Sequence, residues 1–299
     1  DGGSAGILLE EFGILPPGDI RRALVALSNS DNKILSELFG YRFKEGSGLT
    51  GHSFGNLLIT ALERVTGSFE KAIEEAGKLL SVQGRVLPVT LKRTSLVAEL
   101  ENGEVIKGEA NIDIPKHNGL LKIKKIRLTP EPPVNPAVKK ALAEADAIVI
   151  GPGDLYTSLV PNLLVKGMRQ ALRLARGKKI YFVNLMTKFG ETTGIRASDF
   201  LKTIEEYLGK DVLDYIVVNK TQPTPTRFRP YAAEKAEFVI PDIELSKPPH
   251  QTRSKFTPKH SSLWCGGEKP IVITADLLRN YGLIRHDPEK VAQVIRMLV

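Results

Sequence analysis

The chain has 299 residues, 42% hydrophobic and 25% charged, and its net charge of +8 favours anionic partners such as nucleotides, phosphosugars or nucleic acid. That length can bury a full core in one large domain or two modest ones, and no apolar run reaches the roughly 18 residues a membrane span needs. A single cysteine, Cys265, excludes an internal disulfide and a cysteine zinc cluster; with no signal-peptide pattern at the start, the expected location is the cytoplasm.

The first residues, Asp1-Gly2-Gly3-Ser4-Ala5-Gly6, read as a Gly-rich turn. A phosphate-cradling loop normally follows a strand, so an upstream strand and its loop are expected to be missing. Asp19 is placed to cap a helix through Ala23, Leu24 and Leu27. Gly46-Ser47-Gly48-Leu49-Thr50-Gly51 matches G-x-G-x-x-G, but Tyr41 to Glu45 is too polar for the buried strand that a dinucleotide site requires. Gly51-His52-Ser53-Phe54-Gly55 matches the nucleophile elbow and lacks the same strand. Ser53 is therefore expected near a helix start, as a cap or an anion contact. His52 is expected as a ligand contact, with Asn56 one turn on.

Leu57 to Val65 and Ser68 to Leu80 follow as amphipathic helices. The texture then changes. Arg85 to Thr90 reads as a strand, and Ser95 to Leu100 and Glu104 to Gly108 flank Asn102-Gly103, a hairpin turn. Leu121 to Leu128 alternates apolar and basic residues, as a half-exposed strand does. Its Lys122, Lys124, Lys125 and Arg127 lack interleaved aromatics, so a solvated sheet face is expected and nucleic-acid binding is not.

After Pro130 to Pro136 a helix over 136–144 leads into Ala147-Ile148-Val149-Ile150, an apolar run expected to be buried on both faces of a parallel sheet. It ends at Gly151-Pro152-Gly153, followed by Asp154, Tyr156, Ser158, Asn162 and a helical run with Leu163, Leu164, Met168 and Leu172. A strand, a Gly-rich turn and a helix together gather free backbone N–H groups, which favours an anion; an ordinary connection is the alternative. Ile180 to Asn184 is a second strand, running into a polar loop where Asn184, Thr187 and Glu191 serve a ligand or the loop itself. A helix over 198–208 and a third strand, Tyr215 to Asn219, complete the alternation of a doubly wound sheet.

Residues 221–262 hold seven prolines and seven Lys/Arg against four Asp/Glu, a cationic loop with one ordered island at Tyr231 to Ile240, a short helix running into a strand. Ile271 to Thr274 reads as a strand. Asp287 is expected to cap a closing helix, Pro288 to Leu298. The fold class is thus α/β, a doubly wound sheet. Residues 1–83 form the first part of the core, 84–128 a small β-rich insert and 129–299 the rest of the core, with the basic Pro-rich loop at about 221–269.

The blocks Asp1-Gly2-Gly3-Ser4, Pro17-Gly18-Asp19-Ile20-Arg21, Gly51-His52-Ser53-Phe54-Gly55-Asn56, Gly151-Pro152-Gly153-Asp154-Leu155-Tyr156-Thr157-Ser158, Pro161-Asn162-Leu163-Leu164 and Arg285-His286 stand in this order. In them the chain resembles the gluconeogenesis factor family, bacterial cytosolic proteins related to the 2-phospho-L-lactate transferases. The resemblance implies a Rossmann-like three-layer core that binds a nucleotide diphosphate compound, UDP-N-acetylglucosamine in particular, and a role linked to cell-wall synthesis and cell shape during gluconeogenic growth. It further implies ligand contacts at Tyr231, through ring stacking, and at Arg285, through its guanidinium. The family usually has Arg-Leu-Arg where this chain has Ile7-Leu8-Leu9, and Ser where Asp154 stands.

The expected site gathers Asp1, Gly2, Gly3, Ser4, Asp19, Arg21, His52, Ser53 and Asn56 from the first part of the chain. From the second it gathers Gly151, Gly153, Asp154, Tyr156, Ser158, Asn162, Asn184, Thr187, Tyr231 and Arg285. A nucleotide-sugar-binding regulatory protein is the leading reading, with no cofactor and no catalytic residue. A transferase using a nucleotide diphosphate donor is the alternative; it would take Mg²⁺ through Asp1, Asp19 and Asp154. A serine hydrolase would pair Ser53 with His260 or His286. A homo-oligomer is compatible with the sequence.

Overall fold

The computed structural model describes residues 3–29, 33–243 and 270–299. Its centre is a parallel sheet of β4 (Ala147–Ile150), β5 (Lys178–Phe182), β6 (Tyr215–Asn219) and β7 (Ile271–Ala275), in that spatial order. Alternation along the strands makes two cores from one sheet. Tyr181, Val183, Ile216 and Val218 point to one face, packing with Phe200, Ile204 and Leu208 of α10 (Ala197–Leu208). Ile180, Phe182 and Val217 point to the other, against Val294 and Leu298 of α12 (Pro288–Leu298). This is the expected three-layer arrangement. Each such side chain taken from water contributes roughly 1.5–3 kcal/mol.

β4 is the edge of the described sheet, so Val149 is 41% exposed and the expected burial of that strand on both faces is only partly met.

Residues 95–129 form a second, antiparallel sheet of β1 (Ser95–Leu100), β2 (Val105–Lys107) and β3 (Ile123–Thr129), in the order β2-β1-β3, with α6 (Glu109–Asp113) between β2 and β3. Asn102-Gly103 makes the turn, with Gly103 at φ +86°. Leu96, Ala98, Leu100, Ile123 and Ile126 face inward and join the core beneath α10. Tyr207 of α10 accepts the Ile126 N–H at 3.0 Å. Lys124 and Lys125 face outward, and Lys124 pairs with Glu99 at 3.0 Å.

The first part of the chain is helical: α1 (Gly3–Phe12), α2 (Gly18–Ala26), α3 (Lys33–Gly40), α4 (Phe54–Thr66) and α5 (Phe69–Leu79). Leu24, Phe39, Ile59, Phe69, Ile73 and Leu80 give α2 to α5 a core of their own. Ser53 and Ser68 cap α4 and α5 as expected, and Asp287 caps α12. Asn135 ties this part to the rest: buried, it caps α7 (Pro136–Glu144) through Ala137 N and donates to Glu70 at 2.9 Å and to Pro88 O at 3.1 Å.

Several expectations are corrected. Residues 3–6, expected in a turn, open a helix that runs to Phe12: Leu and Glu favour one, and Leu8 is buried on its inner face. Asp19 lies inside the first turn of α2, pairing with Arg22 in solvent, and does not cap it. Residues 85–90 form no strand. The run after Gly153 divides into a π-helical turn (Leu155–Leu159), α8 (Val160–Leu163) and α9 (Met168–Leu174), with Gly167 at φ +92° just before α9. Beyond α11 (Arg229–Ala232), the expected strand reduces to one bridge between Phe238 and Met186.

Candidate functional site

The expected site residues fall into groups held by different elements. In the first, Ser4 of α1 is the hub. Its hydroxyl accepts the Ser53 N–H at 3.4 Å and Asn56 Nδ2 at 3.3 Å, and lies 3.1 Å from His52 Nδ1. With two N–H groups arriving, the hydroxyl proton goes to His52 Nδ1. Arg21 Nε donates to Asn56 Oδ1 at 3.2 Å, and burial beside Arg22 and Arg42 lowers its pKa. Gly55 is required for this approach, since a Cβ there would stand 2.6 Å from Phe39 O and 2.7 Å from Arg21 Cδ. Ser53 is wholly buried and its Oγ accepts the Asn56 N–H, a capping position and not that of an activated nucleophile. Gly3 lies at the start of α1; Asp1, Gly2 and His260 lie outside the described residues.

The second group is the Gly151–Ser158 turn at the carboxyl end of β4. Gly151 takes φ +75°, with Phe182 O only 3.1 Å from where a Cβ would sit. The loop after β5 clamps this turn side chain by side chain. Asn184 Nδ2 donates to Gly153 O at 2.9 Å. Glu191 accepts the Tyr156 N–H at 3.1 Å and the Thr157 hydroxyl at 2.9 Å. Lys188 reaches Asp154 at 2.7 Å and Glu191 at 3.3 Å, and also pairs with Asp113 of α6. One backbone N–H of this turn, that of Tyr156, is therefore already held by a carboxylate of the chain itself.

Thr187 is taken up by the backbone of Glu237, and Asn162 by Ser158 O at 2.6 Å.

Burial raises the pKa of Glu191 to about 7 in spite of Lys188. Burial alone would lower that of Lys188, but its bonds to Asp113 and Asp154 and the charge of Glu191 hold it above the usual value. Lys188 thus stays charged. Asp113, Asp154 and Glu191 bring oxygens within 4.8 Å of one another, a donor set suited to Mg²⁺. The Lys188 ammonium pairs with those same oxygens. Of the expected metal ligands, Asp154 lies in this cluster, Asp19 is on the surface with Arg22, and Asp1 lies outside the described residues.

The third group lines an open cavity of about 490 Å³ where β5 ends, walled by Pro152, Asn184, Met186, Tyr231, Arg285 and His286 among others. Its far wall is braced by one side chain. Arg227 donates to the carbonyls of Arg279 at 2.8 Å, Leu283 at 2.9 Å and Gly282 at 3.2 Å. The Tyr231 hydroxyl donates to Ile284 O at 3.2 Å, so its phenol is spent on the wall and only its ring remains for a ligand. Arg285 is exposed and has no ion pair or hydrogen-bond partner for its guanidinium among the described residues. Burial lowers the pKa of His286 to about 4.

The second and third groups share Asn184 and the Gly151–Pro152 bend. Ser4, His52, Ser53 and Asn56 do not line this cavity. Lys188, Asp113 and Arg227 carry no local signal: Asp113 sits 75 residues from Lys188, on α6 of the small β-rich insert, and nothing in the local sequence joins them. No helix among the described residues is long and apolar enough to cross a membrane.

The family model described as 2-phospho-L-lactate transferase CofD matches residues 1–256. The gluconeogenesis factor of Halalkalibacterium halodurans is 45% identical over 244 residues, 81% of this chain and 74% of that protein. A Nostoc sp. protein, provisionally described under the same name, is 42% identical over 297 residues, 99% of this chain; the chain spans 60% of its length. The crystal structure of a UPF0052 family member from Bacillus halodurans superposes with a TM-score of 0.86 at 38% identity, covering 99% of this chain and 88% of that one.

Proposed function

Because the chain belongs to the CofD family, among its gluconeogenesis factors, we propose that it binds a nucleoside diphosphate sugar of the UDP-N-acetylglucosamine kind. It acts by binding, as a cytosolic regulator linked to central carbon metabolism and cell shape. The observation that supports this reading is the third cavity. It sets an exposed guanidinium, Arg285, and an aromatic ring, Tyr231, beside the Gly151–Pro152 bend at the carboxyl edge of a parallel sheet. The guanidinium suits phosphate oxygens and the ring suits a base or sugar face. Titration calorimetry with UDP-N-acetylglucosamine tests the proposal; no heat at millimolar ligand would refute it.

The family model favours a second reading, transfer of a phosphorus-containing group from a nucleotide diphosphate donor. The pairing of Asp154 with Lys188 weighs against it, since that carboxylate is not free to hold Mg²⁺. Release of free nucleotide from a donor and an alcohol acceptor would establish the transferase.

A further inference from the structure

Four charged side chains from three parts of the chain meet beside the Gly151–Ser158 turn. Lys188 Nζ lies 2.7 Å from Asp154 and 3.3 Å from Glu191, and it also pairs with Asp113. Asp113 comes from α6 of the insert, Asp154 from the turn after β4, and Glu191 from the loop after β5. An ammonium carries three N–H donors, so each carboxylate can take one.

Contacts other than that ammonium hold the carboxylates in place. Glu191 is fixed by the Tyr156 N–H and the Thr157 hydroxyl. The turn that carries Asp154 is tied down where Asn184 grips Gly153 O. The loop after Asp113 is keyed into the loop after β5. There Thr193 Oγ1 donates to Gly119 O at 3.0 Å, and a Cβ on Gly119 would collide with the Phe189 ring.

The three acids bring oxygens within 4.8 Å of one another, and carboxylate oxygens are the ligands that Mg²⁺ and Mn²⁺ take. Lys188 and Asp113 are 30% exposed and Asp154 is 41% exposed, so ions from solvent can reach them. A divalent ion arriving there meets a positive charge already in its place.

We propose that Lys188 is a built-in cation, its ammonium taking the position where three carboxylates would otherwise hold a divalent metal. The insert and the turn at the sheet rim are joined through that ammonium, and the join needs no metal. Removing the lysine turns this knot of ion pairs into a metal centre, because the acids stay where their other contacts put them. None of this depends on what binds in the rim cavity.

The test is Mn²⁺ titration of the full chain, followed by calorimetry and by loss of the free ion's paramagnetic resonance signal. It compares wild type, Lys188→Gln, and Lys188→Gln combined with Asp113→Asn. Lys188→Gln is expected to bind Mn²⁺ at least tenfold more tightly than wild type. Its melting temperature should rise with Mn²⁺, while that of wild type stays still. Adding Asp113→Asn should weaken the binding at least tenfold, which places the ion among these carboxylates. Equal Mn²⁺ affinities of wild type and Lys188→Gln would overturn the proposal, and so would an Asp113→Asn change without effect. Should Lys188→Gln fail to fold, wild type decides. A built-in cation leaves the amide resonances of Asp113, Asp154 and Glu191 sharp in Mn²⁺, and their selective broadening refutes the proposal.

Discussion

Glu191 accepts the backbone N–H of Tyr156 at 3.1 Å across 35 residues of chain, with its carboxylate wholly buried. The turn after β4 is thus shaped by the loop after β5 rather than by its own sequence. Replacing Glu191 by Ala leaves that N–H, the Thr157 hydroxyl and part of the Lys188 charge without a partner. The expected loss is about 2–4 kcal/mol, read from urea midpoints, with faster hydrogen exchange at Tyr156. An unchanged exchange rate at Tyr156 would show that the clamp does not hold the turn.

Two buried groups push stability in opposite directions as pH changes. Glu191 has its pKa raised from 4.5 to about 7, so its contribution is fully present below 4.5 and is lost as pH rises through about 7. His286 has its pKa lowered from 6.5 to about 4, so its contribution is present above 6.5 and is lost as pH falls through about 4. Each slope is at most about 1.4 kcal/mol per pH unit. Between these limits the two oppose each other. Relative to wild type, His286→Phe should lose stability as pH rises from 5 to 6, and Glu191→Gln should gain it. Unfolding midpoints that stay parallel to wild type across this range would count against both shifts.

At the cavity, Arg285→Ala should weaken UDP-N-acetylglucosamine binding by roughly 10- to 100-fold, the worth of a charged hydrogen bond to phosphate. Its exposure predicts an unchanged melting temperature. Tyr231→Phe should retain most of the affinity, since the ring stays, at a cost of about 1 kcal/mol for the lost bond to Ile284 O. Calorimetry beside thermal melts separates the two effects.

Arg227 reaches three carbonyls of the 279–283 loop. An Arg227→Lys substitution keeps the charge and cannot span them, because an ammonium lacks the planar fork. Weaker nucleotide-sugar binding is expected, with raised hydrogen exchange confined to 279–286. If that segment exchanges as in wild type, the guanidinium is not what holds the wall.

Much of the scaffold could be read from residue order alone. Continuous apolar runs at 147–150, 180–182 and 215–219 made the parallel strands plain, and Asn102-Gly103 and Asp287-Pro288 marked a hairpin and a helix start through local chemistry. Residues 85–90 are rich in apolar and β-branched side chains, yet without a partner strand they make no ladder. The site was harder. Ser53 and Asn56 were seen at a helix start, yet their partner Ser4 lies 49 and 52 residues away. Gly151 and Asp154 announced a turn, while what fills it, Glu191 and Lys188, is visible only once β4 and β5 pair side by side. Local pattern encodes turns and caps; charge compensation between distant loops is decided by packing.

Asn135 carries a consequence for anyone building chimeras within this family. One amide both starts α7 and grips Glu70 and the carbonyl of Pro88, so this side chain sits on the seam between the helical portion and the sheets. A graft that exchanges the helical portion must bring a compatible acceptor at position 70, or it strands that amide out of reach of water.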